Sequence, residues 1–185
     1  TLFPYTTLFR SLAMAGMGTY SKIEGFAFLP ITSFMMALTT FVSQNRGAKE
    51  YERARKGARF GLVCSVSLAE TIGLLIALFV TPLMRLFVDD PQVIQSGVER
   101  AHYATILFFM LAYSHGVSAV LRGVGKSVVP MVVMLVCWCL VRVTLLTMLN
   151  MLFHNILFVY LIYPFTWSLA SIVFFLYYRK INWLD

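Results

Sequence analysis

The sequence predicts an all-α fold, a polytopic membrane helical bundle with five transmembrane helices. The first observation is composition: 59% of the 185 residues are hydrophobic, only 12% are charged, and the mean hydropathy is +0.79. Soluble domains usually carry about a quarter charged residues, so this chain has too little polar surface to cover a water-soluble globule. The second observation is a set of five windows, each with roughly the 20 mostly apolar residues that an α-helix needs to cross a bilayer.

Short polar connectors separate the predicted spans, which are residues 18–43, 60–84, 101–121, 127–149 and 156–178. The connectors at 44–59 and 122–126 and the tail after residue 178 carry ten lysines and arginines, whereas the connectors at 85–100 and 150–155 carry two. Cytoplasmic loops of membrane proteins are enriched in these cations. We therefore expect a multi-pass protein of the plasma (inner) membrane, with the first group of connectors and the C-terminus in the cytoplasm.

Residues 1–11 read TLFPYTTLFRS, and every position matches the translation of a common sequencing-library adapter. Translated scars of this kind carry no information on the fold. We predict that residues 1–11 are not native and that residues 12–185 form the genuine part of the chain.

Several classes of function are disfavoured. The net charge of +7 is concentrated in connectors at the ends of spans, which is the pattern of membrane topology and not of nucleic-acid binding. The sequence has no P-loop, no zinc-protease helix motif and no nucleophile elbow, so we do not expect an enzyme. Its three cysteines lie in apolar runs and are interpreted as packing residues, so no metal or cofactor is expected.

Four polar side chains fall inside the predicted spans, where a charge is costly and is by default a functional hypothesis. Glu70 lies near the midplane and is either a hydrogen-bonded structural acid or a coupling residue. Arg142 could extend outward, pair with Glu70 or cap carbonyl groups. His115 could act in a proton relay or bridge helices. Glu24 could lie at the interface or in a cavity.

Aromatic and methionine side chains offer a second set of candidates. Tyr163, Trp167 and Met35 could form a surface that accepts flat lipophilic cations, or they could belong to the core between helices. Pro30 and Pro164 are expected to break the first and fifth spans, and broken helices often line the cavities of transporters.

Two short motifs resemble those of one transporter family. The stretch from Gln44 through Asn45 to Gly47 and Ala48 is similar to the Q-N-x-G-A motif of the multidrug and toxic compound extrusion (MATE) family. The stretch that contains Arg122 and Gly123 is similar to the L-R-G-x-G turn between the tenth and eleventh spans of that family. Arg142 falls where the family often carries an arginine in the eleventh span.

The resemblance implies a twelve-span transporter with two six-helix lobes, of which this chain supplies spans eight to twelve. The missing N-terminal lobe, the lipid bilayer and a small lipophilic cation are the implied partners. The implied activity is secondary antiport, with lipophilic or cationic drugs or toxins exported in exchange for protons or sodium. Some sodium-coupled members have an acid in the tenth span, where this chain has Leu111, Tyr113 and His115. No coupling residue can therefore be carried over.

Two other functions remain open at this stage. A flippase for a lipid-linked precursor, from a related superfamily, would be favoured by a groove lined with cations. A non-transporting membrane subunit would show few polar groups inside its spans. The chain alone is expected neither to transport nor to fold well, because half of the implied cavity is absent.

Overall fold

The computed structural model describes residues 3–153 and 156–180, with side chains described from residue 11 onwards except at residue 153. Helices and short turns make up both ranges, without a strand in either. The helices in chain order are α1 (Phe3–Gly47), α2 (Tyr51–Arg85), α3 (Pro91–Thr105), α4 (Phe108–Gly123), α5 (Val128–Met134), a π-helical segment (Leu135–Val141), α6 (Arg142–Phe153) and α7 (Ile156–Lys180). The predicted all-α fold is confirmed.

The described residues contain four helices long and apolar enough to cross a membrane, and five spans if a bent pair of helices is counted as one. These four are α1 from Ser11 onwards, α2, the continuous run of α5 through α6, and α7. The fifth is α3 followed by α4, with a bend of 55° between them. Most large apolar side chains on the outer faces are exposed, as lipid contact requires. The chain is a multi-pass membrane protein.

The third span was predicted as one segment at 101–121, but the structure has two helices there, α3 and α4. Asp90 caps α3 by accepting a hydrogen bond from the backbone N–H of Gln92 at 2.8 Å, and Pro91 occupies the first helical position. The helix therefore begins well before residue 101 and includes the stretch at 93–98, which lies in the predicted connector at 85–100. An aspartate followed by a proline is typical of a helix start, so the sequence itself indicates this beginning. The span then bends before Phe108.

The prolines do not break their spans, contrary to expectation. Pro30 and Pro164 both lie inside continuous helices. Their neighbours Ile31 and Ile162 are buried, so packing holds each helix together where a hydrogen bond is lost. The helical irregularity lies instead at the π-helical segment, directly before Arg142.

The two sequence motifs meet at one end of the bundle. Gly123 lets α4 approach α1 closely, because a Cβ at this position would lie 2.8 Å from the carbonyl oxygen of Thr39 and 2.9 Å from the Cβ of Val42. Next to it, Arg46 Nη1 donates a hydrogen bond of 2.6 Å to the carbonyl oxygen of Val124. The end of α1 and the turn after α4 are therefore joined.

The end of α7 lies at the same end of the bundle. Tyr177 and Tyr178 pack against the core cluster that contains Val42, Ala54 and Val124. All three basic connectors thus belong to one side of the membrane, which agrees with the alternation that the sequence predicts.

Candidate functional site

Three charged side chains from three different helices form what we call the buried charge cluster: Glu24 of α1, Arg100 of α3 and the half-buried Arg142 of α6. Glu24 Oε2 lies 3.4 Å from Arg100 Nη2. Both residues are almost fully buried, with 9% of Glu24 and 4% of Arg100 exposed. Charged groups inside a membrane protein persist when they face the bundle interior and pair with one another. Of the two positions left open for Glu24, the structure places it in the interior.

Arg100 also ties α3 to the backbone of α1. Its Nη1 donates to the carbonyl oxygen of Met17 and to Ser21 Oγ, each at 2.9 Å. With Glu24 as a third acceptor, all the described hydrogen-bond acceptors of this guanidinium lie on α1.

Tyr163 of α7 joins the two arginines. Its ring centroid lies 4.8 Å from Arg100 Cζ and 4.6 Å from Arg142 Cζ. Arg142 Cζ also lies 5.0 Å from the ring centroid of Trp138, one turn earlier. Guanidinium groups within about 6 Å of an aromatic centroid gain a cation–π attraction, which is stronger where water is excluded. The electron-rich faces of two rings therefore flank the charge of Arg142.

Arg142 has a hydroxyl partner and no carboxylate partner among the described side chains. Its Nε and Nη2 donate to Thr166 Oγ1 at 3.1 and 2.6 Å. That hydroxyl in turn donates to the carbonyl oxygen of Tyr163 at 3.0 Å. Of the three roles considered from sequence, pairing with Glu70 is not formed, because Glu70 binds elsewhere.

Polar atoms without a partner lie beside these charges. Glu24 Oε1, Tyr20 Oη and Trp138 Nε1 are buried, and within residues 11–152 and 156–180 none has a hydrogen-bond partner. The ring centroid of Tyr20 lies 5.3 Å from Arg100 Cζ, so all three atoms belong to the surroundings of the cluster. Buried polar atoms without a partner are costly. These atoms therefore hold hydrogen-bonding capacity that the described residues do not use.

Glu70 of α2 lies apart from the cluster, at the bend between α3 and α4. Its Oε2 accepts a hydrogen bond from the backbone N–H of Phe109 at 3.1 Å. The first N–H groups of a helix have no partner within the helix, and the helix dipole favours an acid there. A Cβ at Gly73 would lie 3.0 Å from the carbonyl oxygen of Thr105, so this glycine lets the bend approach α2. Glu70 thus satisfies backbone that the bend leaves open inside the membrane.

His115 of α4 lies at the edge of the cluster. Its Nδ1 is 3.0 Å from the carbonyl oxygen of Leu111, so this nitrogen is the donor of that bond. The ring packs edge-on against Trp138, with centroids 5.0 Å apart, and against Phe28 at 6.2 Å. His115 therefore connects α4 to α1 and to the π-helical segment.

Two other candidates lie in the core. Trp167 is 3% exposed, and its ring packs edge-on against Phe108 at 6.0 Å. Met35 is 4% exposed and belongs to the cluster that contains Leu38 and Val42. The structure brings neither of them to the charged groups.

The motif residues organise the ends of helices. The side chain of Asn45 donates from Nδ2 to the backbone carbonyl oxygen of Phe41 at 2.7 Å. The backbone carbonyl oxygen of Asn45 accepts from the backbone N–H of Glu50 at 2.9 Å. Gln44 and Gly47 are exposed, next to a turn in which Lys49 adopts a positive φ of 62°. These residues shape the turn between α1 and α2.

Four members of the site were not recognised from sequence: Arg100, Trp138, Thr166 and Tyr20. Arg100 was counted in an outer connector. A signal was present, since the buried residues of α3 include Val93, Gly97 and Ala104. Their spacing is helical, and Arg100 falls on the same face.

The comparisons with known proteins agree with this architecture. The family model MatE matches residues 6–148 of the chain. The matched range begins inside the 1–11 segment, and the adapter origin of that segment stays a prediction.

Several curated relatives are similar to the chain. It is 31% identical over 121 residues to the probable multidrug resistance protein NorM of Thermotoga maritima, covering 65% of the chain and 26% of that protein. It is 21% identical over 172 residues to the probable multidrug resistance protein YoeA of Bacillus subtilis, covering 92% and 37%. It is 28% identical over 83 residues to a FAD transporter of Shewanella oneidensis, covering 45% and 18%.

The chain thus spans well under half the length of each of these relatives. The family model, in contrast, covers most of the chain itself, including the spans that carry the buried charge cluster. With its apolar helices and its two motif turns in contact, the chain belongs to the MatE family.

Proposed function

We propose that the protein containing this chain is a secondary active antiporter that exports small amphipathic compounds in exchange for protons or sodium. The observation that carries the proposal is the buried charge cluster, in which Glu24, Arg100 and Arg142 join α1, α3, α6 and α7. Such groups are costly in a membrane and mark substrate or ion pathways. The names of the two multidrug resistance relatives support export as the direction. Lipophilic cations are the substrate class predicted from sequence.

The proposed mechanism is alternating access between this set of helices and a second lobe. Glu24 offers one carboxylate oxygen to Arg100 and keeps Oε1 without a partner in the described part of the chain. A proton or sodium ion that binds Glu24 would weaken its attraction to Arg100. Because these residues lie on different helices, the loosened contact would let α3 move relative to α1.

The proposed orientation follows from the basic connectors. The ends of α1, α4 and α7 lie together, and together with the following connectors they carry most of the lysines and arginines. We place this end, and the C-terminus, in the cytoplasm of a cell with a plasma (inner) membrane.

The test is dye efflux by the full-length gene product in cells without their own pumps. Ethidium serves as a cationic dye and carboxyfluorescein as an anionic one, each followed with and without a proton or sodium gradient. We expect gradient-dependent efflux of at least one dye. Failure of both, with the protein demonstrated in the membrane, would contradict the antiporter.

Two variants of Glu70 distinguish a role in capping the start of α4 from a role in coupling transport to the ion gradient, in the same assay. In Glu70→Gln an amide oxygen can still accept from Phe109, so we expect efflux and stability close to wild type. In Glu70→Ala the cap is lost, and the free energy of unfolding should fall by about 1 kcal/mol. Loss of gradient-dependent efflux in Glu70→Gln at unchanged stability would instead make Glu70 a coupling residue.

The lipid-linked precursor flippase stays the second candidate. The structure adds Arg100 to Arg142 as a cation inside the bundle, which favours an anionic headgroup. Arg100, however, already has Glu24 as its counter-ion. Only one cation of the cluster is therefore left for such a substrate.

A further inference from the structure

The charges of the cluster do not balance. Arginine stays protonated in proteins, so Arg100 and Arg142 contribute two positive charges against the single carboxylate of Glu24. Glu24 forms its ion pair with Arg100. Within the described residues, Arg142 has no ion pair. If Glu24 is ionised, one positive charge remains without a counter-ion.

Arg142 and the neighbouring Trp138 each have a hydrogen-bond donor without an acceptor among the described residues. Its Nε and Nη2 are directed to the hydroxyl of Thr166, whereas no described acceptor is bonded to its Nη1. Trp138, whose ring faces this guanidinium, has an indole N–H that is buried and without an acceptor in the described part of the chain. Indole nitrogen can only donate. Near Arg100, the hydroxyl of Tyr20 and the acceptor Glu24 Oε1 are also buried without a partner in the described part of the chain.

Two unused donors, Arg142 Nη1 and Trp138 Nε1, beside a positive charge without an ion pair fit an oxyanion. A carboxylate, sulfonate or phosphate accepts several hydrogen bonds at once, and the planar guanidinium fork matches its geometry. A lipophilic cation would place like charges together in a medium that screens them weakly. The aromatic faces of Tyr163 and Trp138 are already occupied by guanidinium groups, which reduces their value for a cationic ligand.

We propose that Arg142, with Trp138 Nε1 beside it, binds the anionic group of an amphipathic organic substrate. The proposal rests on the proposed transport function and deepens it by naming the substrate class. It differs from the class predicted from sequence, which was lipophilic cations.

The test is equilibrium binding to the purified full-length protein with three matched probes. These are 9-anthracenecarboxylate (an anion), 9-anthracenemethanol (neutral) and 9-(methylaminomethyl)anthracene (a cation). They share one ring system and differ in charge. We expect the anion to bind about tenfold to a hundredfold more tightly than the other two, as a charge-assisted hydrogen-bond pair would give.

Variants assign the preference to one residue. Arg142→Gln should remove the preference for the anion, and Arg142→Lys, which keeps the charge and loses the fork, should keep part of it. Arg53→Gln is the matched control, because Arg53 is exposed at the start of α2 and the chemical change is the same. The control should bind all three probes as wild type does. Monodispersity in detergent verifies that each variant folds.

Competition with farnesyl pyrophosphate tests whether the bound anion can be the phosphate of a lipid or is a soluble organic anion. Displacement of bound 9-anthracenecarboxylate by this lipid phosphate would support the site and extend it to lipid-linked anions. Absence of displacement, with the anthracene preference intact, would support the site for soluble organic anions.

Two outcomes would overturn the proposal. One is tightest binding by the cationic probe, and the other is an anion preference that survives Arg142→Gln. The first would mean that a carboxylate elsewhere in the full-length protein balances Arg142, and the second would mean that another cation or donor binds the anion. Gradient-dependent dye efflux could persist in both cases, so the proposed antiport would stand while this inference failed.

Discussion

Glu24 and Arg100 form a buried ion pair whose partners depend on each other. Replacing Glu24 by glutamine keeps the shape of the side chain and removes its charge, so Arg100 stays buried without a counter-ion. Removing one partner of a buried pair is strongly destabilising. We expect Glu24→Gln to lower the free energy of unfolding of the full-length protein by about 3 kcal/mol, seen as a lower Tm in detergent.

An exposed pair supplies the control for this prediction. Glu52 lies 3.7 Å from Lys56, with 91% and 83% of the two side chains exposed. Water screens such a pair, so Glu52→Gln should leave Tm unchanged within error. Equal effects of the two substitutions would show that the pair of Glu24 and Arg100 is as solvated as the surface pair.

The sequence reveals some residues of the cluster and hides others, because a polar side chain is conspicuous only where its neighbours are apolar. Glu24, Arg142 and Tyr163 lie within predicted spans, where a polar group stands out against apolar neighbours. Arg100 was placed in a polar connector, where an arginine is ordinary. Its importance follows from the start of α3 at Pro91, which carries it into the bundle. The spacing of Val93, Gly97 and Ala104 indicates the helix, whereas the depth of Arg100 in the bundle depends on its contacts with α1.

At the scale of elements, the contact between α1 and α4 depends on a missing side chain. Gly123→Ala would place a methyl group against the carbonyl oxygen of Thr39 and the side chain of Val42. Overpacking of this kind typically costs about 1–3 kcal/mol, so we expect a lower Tm. The bond from Arg46 to Val124 should weaken too, because the turn moves with α4.

Gly25→Ala is the matched control for this contact. A Cβ there would meet no atom within 4 Å, and Gly25 lies in the same long helix α1. Alanine is the better helix former, so stability should stay equal or rise by about 0.5 kcal/mol. A loss for Gly25→Ala as large as that for Gly123→Ala would show that helix propensity, and not close approach, controls both sites.

The number of spans could be predicted from sequence, whereas the shape of the third could not. Apolar windows of the right length identify segments that must cross the membrane. The bend between α3 and α4 is stabilised by Glu70, which is distant in sequence and caps α4 from α2. A contact between two helices leaves no trace in the hydropathy of either one. The same reason explains why Pro30 does not break α1.

At the scale of the whole molecule, the shared end of the three basic connectors gives a topology that can be measured. Arg53 lies at this end, Gln95 lies near the start of α3 at the opposite end, and both are exposed. In a full-length protein without other reactive cysteines, Arg53→Cys should be labelled by an impermeant maleimide only from the cytoplasm. Gln95→Cys should be labelled only from outside. The reverse pattern would contradict the proposed orientation.

The π-helical segment, finally, has a consequence for how the length of the gene can change in evolution. A π turn accommodates one more residue than an α turn of the same helix. Trp138 and Arg142 are four positions apart across it, so deletion of Cys139 would leave three. The loss of one residue can be absorbed when the segment returns to α geometry, which keeps the residues before and after it in register. Single-residue changes in length should therefore be tolerated among descendants of the gene more readily at this stretch than elsewhere in the span.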